Sequence, residues 1–314
     1  MLGIVPVRSD AMKVAVVLFA KWPVLINLWQ GAIIFDWGVY MQGLAAILLL
    51  LTMVWLVSVW RRDASIVDAF WSIAFLVAAL SYWATAPDVA MTDAATNIEP
   101  GSGSDSGIGP RAMLIISLTA LWALRLAGYI SWRNWGEGED RRYQAIRARN
   151  SPYFAWKSLF IIFWLQGVLA WLISLPLLAG ILGQQSLGWL DIAAVSLWCI
   201  GFLFEAVGDW QLARFKADPA NKGRVMDRGL WRYSRHPNYF GNCCLWWGFY
   251  LLALAAGGWW SIISPILMTF LLLKVSGVSL LEQDITERRP AYRDYIQRTN
   301  AFVPGPSRAR AISS

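Results

Sequence analysis

The chain has 314 residues, 57% of them apolar and 15% charged, with 21 tryptophans and a mean hydropathy of +0.46. Apolar runs of bilayer length, separated by short charged loops, exclude a soluble domain built around one core. The formal charge of +7, from 27 Lys and Arg against 20 Asp and Glu, is concentrated between those runs, which excludes nucleic acid as the partner.

A helix of about 20 residues crosses the hydrocarbon core of a membrane. Runs at 12–34, 41–60, 66–86, 111–130, 158–180, 187–208, 239–258 and 261–281 reach that length within boundary error. Met1 to Asp10 lacks the basic region and cleavage site of a processed signal peptide, so 12–34 reads as a retained membrane segment, interrupted by Lys21 and Pro23. The last two runs are parted only by Gly257, Gly258 and Trp259, room for a tight hairpin. The pattern predicts an all-α polytopic bundle of seven or eight transmembrane helices, one integral membrane domain over 1–314 with no internal repeat.

The connection at Arg61 and Arg62, the stretches 131–157 and 209–238, and the tail from 288 carry most of the basic residues. The positive-inside rule places these loops and the C-terminus in the cytoplasm. The loop 87–110, with Asp88, Asp93, Glu99, Asp105 and a Gly-Ser-Gly-Ser run, reads as a flexible external excursion, and 305–314 as a disordered cytoplasmic tail. Tryptophans recur near the expected span ends, where they anchor a helix at the interface. Cys199, Cys243 and Cys244 lie in or beside apolar runs and read as small buried hydrophobes. His236 is the single histidine, which removes a histidine-based metal site.

Several polar groups sit where an apolar span should not tolerate them. Glu205, Asp209 and Lys216 are spaced by four and seven, one helical face. Two carboxylates there need cations, hydrogen bonds or water, either as an internal salt-bridge network or as the wall of a polar cavity. A second wall favours the cavity, since Trp122, Arg125 and Tyr129 share another face. The densest stretch, Asn221 to Asn242, sets cationic residues beside a helix start at Pro237, favourable for phosphate. His236, Asn238 and Tyr239 add directional hydrogen bonds there. Beyond the last span, Glu282 can accept bonds from a ribose or an amide, and 285–299 reads as a short surface helix.

Ser65-Ile-Val-Asp68-Ala-Phe-Trp71, Leu121 to Tyr143, Gly201 to Asn242 and Leu281 to Pro304 resemble the DUF1295 group of bacterial membrane proteins, relatives of steroid 5-alpha-reductases. The most specific phrase is Gly201-Phe-Leu-Phe-Glu205-Ala-Val-Gly-Asp209-Trp210 followed by Arg235-His236-Pro237-Asn238-Tyr239-Phe240-Gly241. Arg-His-Pro-x-Tyr-x-Gly alone also occurs in sterol reductases and in membrane methyltransferases. The resemblance implies a multi-pass protein of the bacterial inner membrane that binds NADPH at its cytosolic side and reduces a conjugated carbon–carbon double bond in a lipophilic, steroid-like substrate. It implies cofactor contacts from Arg125, Tyr129, Asp209, Lys216, Arg235, His236, Asn238, Tyr239 and Glu282. On the substrate side stand Trp122, where the steroid reductases have a tyrosine, together with Tyr129 and Asp68. Asn242 replaces a glutamate of those relatives. The partners expected are a lipophilic small molecule and membrane lipid, with no obligate protein partner. The rival readings are an S-adenosylmethionine-dependent membrane methyltransferase of a lipid or isoprenoid, and a non-enzymatic transporter or structural protein.

Overall fold

The computed structural model describes residues 35–96, 109–275 and 292–307. The run 12–34 and Glu282 lie outside the described residues.

Helix α1 (Trp37–Arg61) starts where the Asp36 carboxylate accepts from the Val39 N–H at 3.0 Å, and stops at Arg62, whose φ of 56° is left-handed. Asp63 then caps a short turn at Ala64–Ile66 that feeds α2 (Val67–Thr96). Helix α3 (Pro110–Arg133) begins on a proline, whose missing N–H costs nothing at a first turn. A surface helix α4 (Arg141–Arg149), capped by Asp140, follows. Next come α5 (Phe154–Ile173), α6 (Leu175–Leu182) and the long α7 (Trp189–Ala217). Then α8 (Pro237–Ala255), α9 (Trp259–Val275) and the short α10 (Tyr292–Arg298) complete the described chain.

The protein is all-α and multi-pass. Among the described residues five stretches, 37–61, 64–86, 110–133, 154–173 and 189–217, are long and apolar enough to cross a membrane. The expectation of seven or eight includes the run 12–34 and residues 276–281, which lie outside the described residues. The run 158–180 breaks at Ser174, because Pro176 opens α6 and cannot donate to the turn before it. The Ser174 hydroxyl, bonded to the Trp171 carbonyl and the Tyr82 hydroxyl at 2.7 Å each, holds the break. The described part of the run 261–281 forms the shorter α9. Elsewhere helices outlast their apolar runs: α7 continues from 208 to Ala217, and α2 runs to Thr96, into the stretch expected as an external loop. At the other end Gly305, the first residue of the expected tail, donates its N–H to the Tyr233 carbonyl at 3.1 Å.

Apolar side chains face outward along the bundle, among them Ile192, Leu49, Leu124 and Leu203, each more than half exposed. On a membrane protein these are the lipid contacts. Inside, Phe75, Trp122, Trp246 and Phe249 form an aromatic layer, with Trp122 edge-on to Trp246 at 5.8 Å. Helix α7 packs closely on α8. A Cβ on Gly201 would stand 2.5 Å from the Gly241 carbonyl oxygen, so two glycines let the backbones touch. That approach brings Glu205 and Asp209 of α7 beside Asn238 and Asn242 of α8.

Candidate functional site

The polar residues of α3, α7 and α8 form one network. Arg125 donates through Nη1 to Asp209 Oδ2 at 2.8 Å and lies 2.7 Å through Nη2 from Glu205 Oε1. Trp122 Nε1 donates to Glu205 Oε2 at 3.0 Å, and Asn242 Nδ2 reaches the same oxygen at 3.4 Å. Asn238 Nδ2 donates to Asp209 Oδ1 at 3.1 Å, while the Tyr129 hydroxyl donates to the Asp209 carbonyl at 3.2 Å. Both carboxylates are buried. One guanidinium faces two acids, so the amides and the indole supply the hydrogen bonds that one cation cannot.

A second cluster stands opposite. Asp68, in the first turn of α2, accepts from the Tyr143 hydroxyl at 2.5 Å and from Arg142 Nη2 at 2.9 Å. Gln166 of α5 donates to the Tyr143 oxygen at 3.3 Å. Tyr143 and Arg142 belong to α4, which Glu139 fastens to the bundle: its carboxylate takes two bonds from Arg147, at 2.7 and 2.9 Å, and one from the Ala64 N–H at 2.8 Å. Burial opposes the Glu139 charge, yet the bonds from Arg147 and Ala64 hold its carboxyl below the ordinary carboxylate range. For Tyr143, burial first and the Asp68 charge second push the phenol above its ordinary value, so it stays protonated.

Between the clusters lies a cavity of about 400 Å³. Asp68, Arg142, Tyr143 and Gln166 line one side, and Tyr129, Glu205, Asp209, Asn238, Tyr239 and Asn242 another. Met268, Leu271, Leu272 and Val275 of α9, with Leu169 of α5, give it an apolar wall. The size suits a small molecule, and the split between polar and apolar walls suits an amphipathic one.

Of the residues singled out in the sequence, Asp68, Tyr129, Asp209, Asn238 and Tyr239 meet at this cavity. Arg125 stands beside Asp209, toward a shallow groove between α3 and α7. Four others stand elsewhere. Trp122 is fully buried with its indole N–H given to Glu205, so it does not line the cavity. Arg235 donates to the Ile296 and Thr299 carbonyls at 3.0 and 2.5 Å, which ties the start of α8 to the end of α10. His236 is buried with its ring stacked 5.6 Å from Tyr239, outside the cavity lining. Lys216 is exposed near the end of α7 and also outside it.

Tyr143 and Gln166 are the site residues that sequence reasoning missed. Signals for both exist. Asp140 is a helix N-cap residue, and Tyr143 and Ile146 fall three apart on one side of the short helix it starts. Gln166 is the one amide within the apolar run 158–180.

The model of a family described as a protein of unknown function, DUF1295, matches residues 54–299. An uncharacterized protein of the fission yeast Schizosaccharomyces pombe is 27% identical over 303 residues, covering 84% of this chain and 79% of its own. No solved structure matches the chain. The family match takes in α2 through α10, the helices that build both clusters and the cavity between them, and on that extent the chain belongs to the DUF1295 family.

Proposed function

We propose that this protein is an integral-membrane, NADPH-dependent reductase of a conjugated carbon–carbon double bond in a lipophilic substrate, related to the steroid 5-alpha-reductases. In this reading the segments outside the five long spans complete seven or eight crossings, and the basic loops and C-terminus lie in the cytoplasm of a bacterial inner membrane. The observation that carries it is the cavity itself, polar on two sides, apolar on the third, and set at the basic end of the bundle beside Arg133 and Arg142.

The residues fit the cofactor in part. Asn238, Asn242 and Gln166 offer neutral donors and acceptors suited to a carboxamide and a ribose. The cationic partner for phosphate at the cavity is Arg133, since Arg125 and Arg142 are each engaged by two carboxylates and Arg235 by backbone carbonyls. When bound, the dinucleotide supplies the hydride. The protein's own part is to exclude water, hold the lipophilic substrate against the α9 wall, and aim donors at the oxygen where charge develops.

The test is ligand-induced stabilisation of the detergent-solubilised protein by NADPH, NADH and S-adenosylmethionine at one fixed salt concentration. NADPH is expected to raise the unfolding temperature most. Stabilisation by the methyl donor alone would replace this reading with the methyltransferase. No response to any of the three would favour a non-enzymatic role.

A further inference from the structure

We propose that the cleft between the turn preceding α8 and the C-terminal helix α10 is a binding site for a phosphate monoester, held by Arg228 and Arg232. The cleft has no lining residue in common with the large cavity, and its chemistry is independent of the reductase reading.

Arg228, Arg232, Arg298, Thr299 and Ser307 line the cleft, which has a volume of about 360 Å³, and Asp227 is its one acid. That acid is already taken, because Asp227 Oδ2 accepts from Arg298 Nη2 at 2.9 Å. Arg228 and Arg232 are exposed, and among the described residues no hydrogen bond or ion pair engages either guanidinium. Other arginines of the same basic side are occupied, Arg125, Arg142 and Arg147 by carboxylates and Arg235 by carbonyls. Two unengaged guanidiniums in one cleft present forked donors that match phosphoryl oxygens. The hydroxyls of Thr299 and Ser307 can donate to a third oxygen. A phosphate monoester carries about −1.5 to −2 charges at pH 7, which answers both cations at once.

The walls are fixed before a ligand arrives. The Tyr295 hydroxyl donates to the Trp231 carbonyl, the Ser234 hydroxyl to the Phe302 carbonyl at 2.7 Å, and the Arg235 N–H to the Asn300 carbonyl at 2.9 Å. Gln211 of α7 accepts from the Leu230 N–H at 2.9 Å and so holds the turn between the two arginines. A site set in advance spares its ligand the cost of ordering it. An occupant touching both walls would stiffen the clasp on which Arg235 and the start of α8 rest. The volume leaves room for a small esterified group such as glycerol, so the ester can be a dissolved metabolite or the headgroup of phosphatidic acid.

The experiment places the full-length protein in phosphatidylcholine nanodiscs at one fixed ionic strength. One arm adds sn-glycerol 3-phosphate to the solution, and the other replaces part of the lipid with phosphatidic acid. Binding is read as a rise in unfolding temperature and as slowed amide exchange over 227–235 and 292–299. The wild type should respond in at least one arm, and Arg228→Gln with Arg232→Gln should weaken binding about 10–100-fold. Arg141→Gln with Arg149→Gln, two exposed arginines of α4, removes the same charge away from the cleft and should bind like the wild type. A response to the soluble ester assigns the site to dissolved phosphomonoesters, and a response to phosphatidic acid alone assigns it to a lipid headgroup. No response in either arm, undiminished binding in the cleft variant, or an equal loss in the α4 variant overturns the proposal. Should the cleft variant fail to fold, Arg228→Gln and Arg232→Gln singly, each expected to lose about tenfold, decide in its place.

Discussion

Helices α3 and α7 meet at two buried arginine–carboxylate sites that look alike in sequence and differ in kind. Arg111 pairs with Asp191, and Arg125 with Glu205 and Asp209. The intervals match, 125 − 111 and 205 − 191 both being 14, so two parallel helices repeat one contact about 21 Å further along at 1.5 Å per residue. At the first site the guanidinium is 2% exposed and makes four hydrogen bonds: Asp191 takes two, and the Gln185 and Ser186 carbonyls one each. Asp191 also accepts from the Gly188 N–H at 2.8 Å. At the second, the acids outnumber the cation and line a cavity with neighbouring amides. A closed pair fastens the fold, whereas an unbalanced one leaves polar capacity facing an open space.

That difference should appear most strongly in stability. Arg111→Met strands a buried carboxylate and should cost about 3–5 kcal/mol, read by denaturant unfolding in detergent. Adding Asp191→Leu to it should recover most of the loss, because an apolar pair removes the stranded charge. Arg125→Met should cost less, since water in the cavity can hydrate Glu205 and Asp209, while cofactor-dependent stabilisation disappears. Equal losses at the two sites would end the distinction between a fastener and a working site.

A smaller effect is expected where α7 and α8 touch. Gly201→Ala inserts a methyl against the Gly241 carbonyl, where a Cβ has 2.5 Å of clearance. Overpacking of this sort costs about 1–3 kcal/mol. Here it should also part Glu205 from Asn242, so ligand binding should weaken more than stability alone predicts. An alanine at Gly128, which meets nothing within 4 Å, is the control, with no binding change expected.

The two sites also show what the sequence makes legible. The charges within apolar runs, Glu205, Asp209 and Arg125, are conspicuous because hydrocarbon penalises them, and their spacing places them on facing helices. Asn238 follows from the helix start at Pro237. Arg235 and His236 were misleading for a physical reason: a basic, directional cluster beside a helix start suits phosphate, but it suits the backbone carbonyls of α10 equally well, and only the fold chooses. The segment 158–180 was hidden by its uniform apolarity, which measures hydropathy and says little about a backbone broken at Ser174. Tyr143 was hidden because α4 is polar and short, so hydropathy assigns it to a loop.

The cluster around α4 carries a pH dependence of its own. The Glu139 carboxyl is depressed in the folded protein, so its contribution is present above its unfolded value of about 4.3 and is lost as pH falls through the folded one. Acid should therefore release α4 from Ala64 and Arg147 while the bundle persists. The partner Arg147 is more than a third exposed, which limits the contribution to about 1 kcal/mol or less. Amide hydrogen exchange along Arg141–Arg149 should rise as pH falls below the ordinary carboxylate range, once corrected for its intrinsic pH dependence. Glu139→Gln should show the raised exchange already at neutral pH and gain little more in acid. If the variant exchanges like the wild type at neutral pH, the carboxylate does not hold α4, and Tyr143 must be positioned by Asp68 and Gln166 alone.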